Sequence, residues 1–350
     1  MTPFLSRKLA LGLLSTALLA GTTALHAVEA PAPVALDAAF QPAAMAQQMF
    51  TLSDAAALKG ISRVAVPLFT VEFVTADSVS SSTSGFAAAG RATSSLYYQL
   101  TGVGEPDFQS LTDMLYADFI RDLKAGGLEV VAPAQVMASP TYAKLAASGS
   151  PAPLRSDSAI TMAPAGMAVY GLSKAAAGGG GGGIFSALAS MGSGLSAVGA
   201  ALDTLELAKE MNAAVLEVQM RVNFVQLTAG NKGFLGRMAF TASTSGKLNP
   251  SISNTSMRVY TGAASSTLTM KNPLALDSAA FSEVREKAST AGDIAGAVAV
   301  GLLRLATGSG DSSSSSQMQA VADPAGYARV VGGGLGAVRE MLVLRLRAGQ

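Results

Sequence analysis

Cysteine and tryptophan are absent from the 350 residues, histidine occurs once, at His26, and 13% of the chain is charged. Each scarcity closes a route. Without cysteine there is no disulfide, no thiolate nucleophile, no sulfur ligand for zinc and no thiol to carry a lipid. His26 falls in the first 30 residues, which have the layout of a secretory signal peptide: Arg7 and Lys8 as a charged start, an apolar stretch at 9–20, and small residues at 22–27. About a dozen apolar residues fall short of the roughly 20 that span a bilayer. The expectation is therefore cleavage between Ala24 and Ala30 and export to the periplasm or beyond.

Loss of residues 1–27 removes the only histidine, which closes Ser-His-Asp and Cys-His chemistry and zinc sites of the His/Cys type. It also removes Arg7 and Lys8, two of 24 basic residues set against 23 acidic ones, so the formal net charge passes from +1 to −1. No basic excess remains for a phosphate backbone, so nucleic acid is not an expected partner. What is abundant is alanine, glycine and serine within a chain that is 49% hydrophobic, enough to bury a core without covalent staples.

Residues 28–54 are rich in Pro and Ala and read as a linker ending in a short helix. Residues 61–73, ISRVAVPLFTVEF, form a β-branched and aromatic run whose centre suits a strand buried on both faces, with Pro67 as the misfit. The small, polar stretch 75–100 is an insertion, either a long surface loop or a two-stranded hairpin. Residues 107–127 predict an amphipathic helix with Asp107 as its cap, Phe108, Leu111, Leu115, Phe119 and Leu123 on one face, and Gly126 and Gly127 as its stop. A second strand at 128–136 and a helix follow, making a β-α-β unit with a parallel pair. Further on, Leu195, Val198, Leu202, Leu205 and Met211 predict another helical face, and 212–227 a strand. Strands at 236–244 and 256–271 after turn signals such as LNPS suggest an antiparallel addition. The end of the chain reads as helical, at 278–305 and 325–347, around a disordered Ser-rich linker at 308–317. The fold class expected is α/β (α+β): a mixed sheet with β-α-β units, packed helices and a helical carboxyl-terminal region. The core domain spans 55–275, with insertions at 75–100 and 174–194, and the helical region 276–350.

The chemistry left open is carboxylate catalysis, a Ser-Lys pair, or a metal held by oxygen. Asp113, Asp118 and Asp122, with Lys124 nearby, read as a solvated helix face. Glu217 interrupts an apolar run and is either a water-facing residue of an alternating strand or a buried functional carboxylate. The six glycines at 178–183 are not a phosphate loop, because Ile184 and Phe185 stand where Lys and Ser or Thr would be needed. They read as a disordered tether into a helix that resumes before Leu195. Arg339, Arg345 and Arg347 complement the dipole of the last helix. No residue is assigned to catalysis, to a cofactor or to a metal on these grounds.

VAVPLF, then LTDMLYADFIRDLKAGGLEVVAPAQV, and later LAKEMNAAVLEVQMRV together resemble the periplasmic α/β domain shared by the curli-secretion CsgG family and the amino-terminal domain of TolB. That resemblance covers about 110 residues and implies a non-enzymatic envelope role in assembly, secretion or scaffolding. The chain departs from the secretion family in having no cysteine to lipidate and in its long insertions. The partners implied are envelope proteins and a second copy of the chain, with peripheral membrane contact. The alternatives are a membrane-active or pore-forming protein that uses the small-residue insertions, and a carboxylate or Ser-Lys hydrolase.

Overall fold

A computed structural model describes residues 31–84, 91–171, 193–229, 244–286 and 312–350. The chain opens with β1 (Val34–Ala35), α1 (Pro42–Met49) and β2 (Phe50–Leu52), followed by β3 (Arg63–Val74), β4 (Ala76–Ser84) and β5 (Arg91–Thr101). Next come α2 (Glu105–Ala125), β6 (Glu129–Val130), α3 (Pro133–Met137), α4 (Pro140–Ala147), β7 (Ser150–Pro151), β8 (Leu154–Arg155), β9 (Ala159–Met162) and β10 (Ala168–Val169). The second half holds α5 (Ser193–Met211), β11 (Ala214–Ala229), β12 (Thr244–Tyr260), β13 (Ser265–Met270), β14 (Leu274–Ala275), β15 (Phe281–Glu286), β16 (Ser312–Ala322) and α6 (Pro324–Ala348). The fold is mixed α/β.

The main sheet runs β1-β14-β12-β11-β3-β9-β8, with β13 and β2 continuing from β12 and β6 against the start of β3. β3 is its centre: parallel to β11 and β6, antiparallel to β9, and buried from Val64 to Val74. That burial on both faces explains the unbroken apolar run. Pro67 fits because two residues, Val66 and Pro67, stand opposite Leu216 alone, between the pairs Ala65–Val215 and Leu68–Glu217. A bulge needs no ladder donor at that point. It also resets the alternation. Ala65 and Leu68 face α4 and α5, while Phe69, Val71 and Phe73 face α2. On the α2 side, Phe73 stacks on Phe108 at 4.4 Å and Phe69 meets Phe119 at 5.6 Å.

α2 buries the five residues expected from its periodicity. Its start differs, however. Gly104 is the cap, Pro106 sits in the first turn, and Asp107, at the third position, accepts from the Gly104 N–H at 2.9 Å. Gly127, at φ +89°, makes the left-handed exit. The strand expected at 128–136 is only β6, because Pro133 turns the chain into α3. Its parallel pairing with β3 completes the β-α-β unit.

The insertion 75–100 is a hairpin: β4 and β5 pair antiparallel and join β16 and β15 in a four-stranded sheet ordered β15-β16-β5-β4. The serine run is therefore a strand over Ser312–Ala322, not a disordered linker. Its ladder is supplied by β5 on one side and β15 on the other, so backbone pairing replaces the apolar surface that serine lacks. Residues 281–286 are likewise strand and not helix. LNPS lies inside β12, where Asn249 and Pro250 bulge opposite Phe224. Over residues 199–211 of α5 the buried residues are Thr204, Leu207, Ala208 and Met211, whereas Leu202 is 62% exposed. The stripe that faces the sheet is thus the one through 204, 207, 208 and 211. The signal peptide, the glycine run and most of the insertion 174–194 lie outside the described residues. α5 does include Leu195.

Candidate functional site

One face of the main sheet is apolar and covered by α2 and α6. The other changes character along its strands. Near Ala65, Leu68, Val215 and Tyr260 it is apolar, under α4 and α5. Further along, alternate residues of three neighbouring strands are polar: Thr70 and Glu72 on β3, Glu217, Gln219, Arg221 and Asn223 on β11, and Ser251, Ser253, Ser256 and Arg258 on β12. The strand period of two puts each series on one face. Register then sets them side by side. Glu217 stands opposite Arg258, Gln219 between Thr70 and Ser256, and Arg221 between Glu72 and Ser253.

Glu217 is buried and does not face water. Its carboxylate lies 3.5 Å from Arg258 Nε and accepts from the Thr204 hydroxyl of α5 at 3.0 Å. Arg258 Nη2 also donates to the Gly171 carbonyl at 2.7 Å, which ties the end of the segment after β10 to the sheet. Burial raises the Glu217 pKa, against the opposing pull of Arg258 and Thr204. Burial works against the Arg258 charge, yet Glu217, followed by Tyr260, outweighs it and holds the guanidinium pKa above its ordinary value.

Glu72 is fully buried, with Oε2 3.6 Å from Arg221 Nη1, too far for a hydrogen bond. Arg221 instead donates to Asn223 Oδ1 at 3.1 Å, and Asn223 passes the chain to Ser253 at 2.7 Å. With desolvation dominant and Arg221 only partly offsetting it, the Glu72 carboxyl is pushed up to about 7. Asp77 on β4 also interacts electrostatically with Arg221, and burial raises its pKa. The two buried glutamates do not form a pair for shared acid–base work. They stand on adjacent strands about four residues apart, roughly 13 Å, each against its own arginine.

The aspartates of α2 are not a solvated face. Arg339 of α6 reaches Asp118 at 2.8 Å and Asp122 at 2.9 Å, so it bridges two helices instead of serving a helix end. Asp113 accepts from Gln109 and from the Ala165 N–H. Arg345 and Arg347 do lie in the last turn of α6. Glu72, Gln219, Arg221 and Arg258 belong to no motif in the sequence. The signal available was the run of polar residues at 217, 219 and 221, spaced by two inside an otherwise apolar strand.

Among the described residues, no helix is long and apolar enough to cross a membrane. Comparison of the chain with protein-family models, with curated proteins and with solved structures returned no match.

Proposed function

We propose that the protein is an exported component of the cell envelope that works by contact with other proteins, in assembly, secretion or scaffolding. The observation that supports this best is the open side of the four-stranded sheet. Among the described residues β15 pairs only with β16, and Ser282 to Glu286 are exposed along it. Such an edge presents backbone N–H and C=O groups to an incoming strand, the chemistry of strand addition. Glu283, Arg285 and Glu286 on that edge oppose indiscriminate pairing, which favours a partner with complementary charge. The leader at 1–27 and the resemblance to the CsgG and TolB periplasmic domains agree with an envelope setting. Cell fractionation of the full chain with in-cell crosslinking is the test. Recovery in exported fractions, within a complex larger than the monomer that is lost when Val284 is replaced by Pro, is expected. An uncrosslinked monomer in every fraction would overturn the reading.

A further inference from the structure

Five buried polar atoms without a hydrogen-bond partner among the described residues fall on the polar face described above: both carboxylate oxygens of Glu72, both amide atoms of Gln219 and the Thr161 hydroxyl. They are neighbours by register. Thr161 of β9 is the cross-strand partner of Glu72, Arg221 is its partner on the other side, and Gln219 lies one step along the same face of β11. Direct partners of this kind have Cβ atoms about 5 Å apart and diagonal ones about 7 Å. Native proteins satisfy buried polar atoms, so a concentration of four open oxygens and one amide nitrogen on adjacent strands marks a place that something else completes.

The charges say what is missing. Arg221 is the one cation facing this cluster among the described residues, and it faces two carboxylates, Glu72 and Asp77. With Glu72 ionised, as at pH 8, one negative charge is left over beside a buried carboxylate, where an unbalanced charge is costly. The open ligands are a carboxylate, an amide oxygen and a hydroxyl, all hard oxygen donors. Among the described residues no group of three or more Asp, Glu, His or Cys could hold a metal, so the carboxylate-rich set typical of a divalent ion is not assembled here.

We propose that Glu72, Gln219 and Thr161 bind one monovalent metal cation, sodium or potassium, through the Glu72 carboxylate, the Gln219 amide oxygen and the Thr161 hydroxyl. The bound ion neutralises the excess charge beside Arg221 and ties β9, β3 and β11 together across the sheet centre.

The test is thermal unfolding of the full chain at pH 8 and equal chloride concentration, in sodium, potassium or tetramethylammonium chloride. The bulky organic ion cannot enter the cluster. Wild-type Tm should rise by about 2 °C per tenfold increase in the preferred metal ion above its dissociation constant. The two metal salts show which ion is taken. Glu72→Gln should show no difference among the salts, and Thr161→Val, which keeps the shape of the side chain, should retain the fold with a weakened response. Equal wild-type Tm in all three salts would overturn the proposal, as would a Glu72→Gln or a Thr161→Val protein that responds like wild type. Should Glu72→Gln fail to fold, the Thr161→Val comparison decides.

Discussion

Replacing Glu72 by Gln should stabilise the protein by an amount that grows as pH rises from about 4.5 to 7 and levels off above. The carboxyl titrates near its ordinary 4.5 when the chain is unfolded and at about 7 in the fold, because burial outweighs the attraction of Arg221. A group whose proton is held more tightly in the fold contributes its full stability below pH 4.5, loses it progressively between pH 4.5 and 7, and has lost it above. At about 1.4 kcal/mol per tenfold change in proton affinity, ionisation of Glu72 costs about 3 kcal/mol by pH 8. Gln has the shape and neutrality of the protonated acid, so it escapes that cost, while Arg221 keeps Asp77 and Asn223 as partners. Urea unfolding of both proteins, followed by circular dichroism at pH 5, 6, 7 and 8 in tetramethylammonium buffers, measures the difference without a metal ion at Glu72. The gap should be about 1 kcal/mol at pH 5, about 2 kcal/mol at pH 6 and about 3 kcal/mol at pH 7 and 8. A gap independent of pH, or a Glu72→Gln protein that is the weaker at pH 8, would refute the reasoning.

Arg258→Met should cost about 3 kcal/mol at pH 8, because it leaves Glu217 buried with Thr204 as its remaining partner. The loss should shrink as acid protonates Glu217, which urea unfolding across the same pH series checks. Arg339→Ala should cost about 1–2 kcal/mol by releasing Asp118 and Asp122 from α6. A double-mutant cycle with Asp118→Asn measures that coupling, and strict additivity would deny it. Gly102→Ala should cost about 2 kcal/mol or more, since Gly102 sits at φ +87° and a Cβ there would press on the Ala322 carbonyl. A fall in Tm would register it, and an unchanged Tm would contradict that packing.

Much of the core was legible residue by residue. The β-branched run through Phe69 and Phe73 announced a doubly buried strand, and the three-and-four spacing from Phe108 to Leu123 announced the helix that covers it. Such patterns depend on neighbours a few residues away. The candidate site was not legible in this way. Glu217 could be noticed, but whether it faces water depends on α5 lying over that face of β11, and Glu72 acquires its character from Thr161 and Arg221, which are far away in the chain.

The sequence by itself determined the class of the core, the faces of β3 and α2, the absence of thiol chemistry and the confinement of imidazole to His26, because composition and periodicity are local properties. Only the tertiary structure decided that serines at 312–316 form a strand, since their ladder comes from β5, 220 residues earlier in the pair Ser312–Ala92. It alone decided that Asp118 meets Arg339 across 221 residues. Hydrogen-bond partners and counter-charges are supplied by whichever segment the fold brings alongside, and that neighbour is not encoded at the residue that needs it.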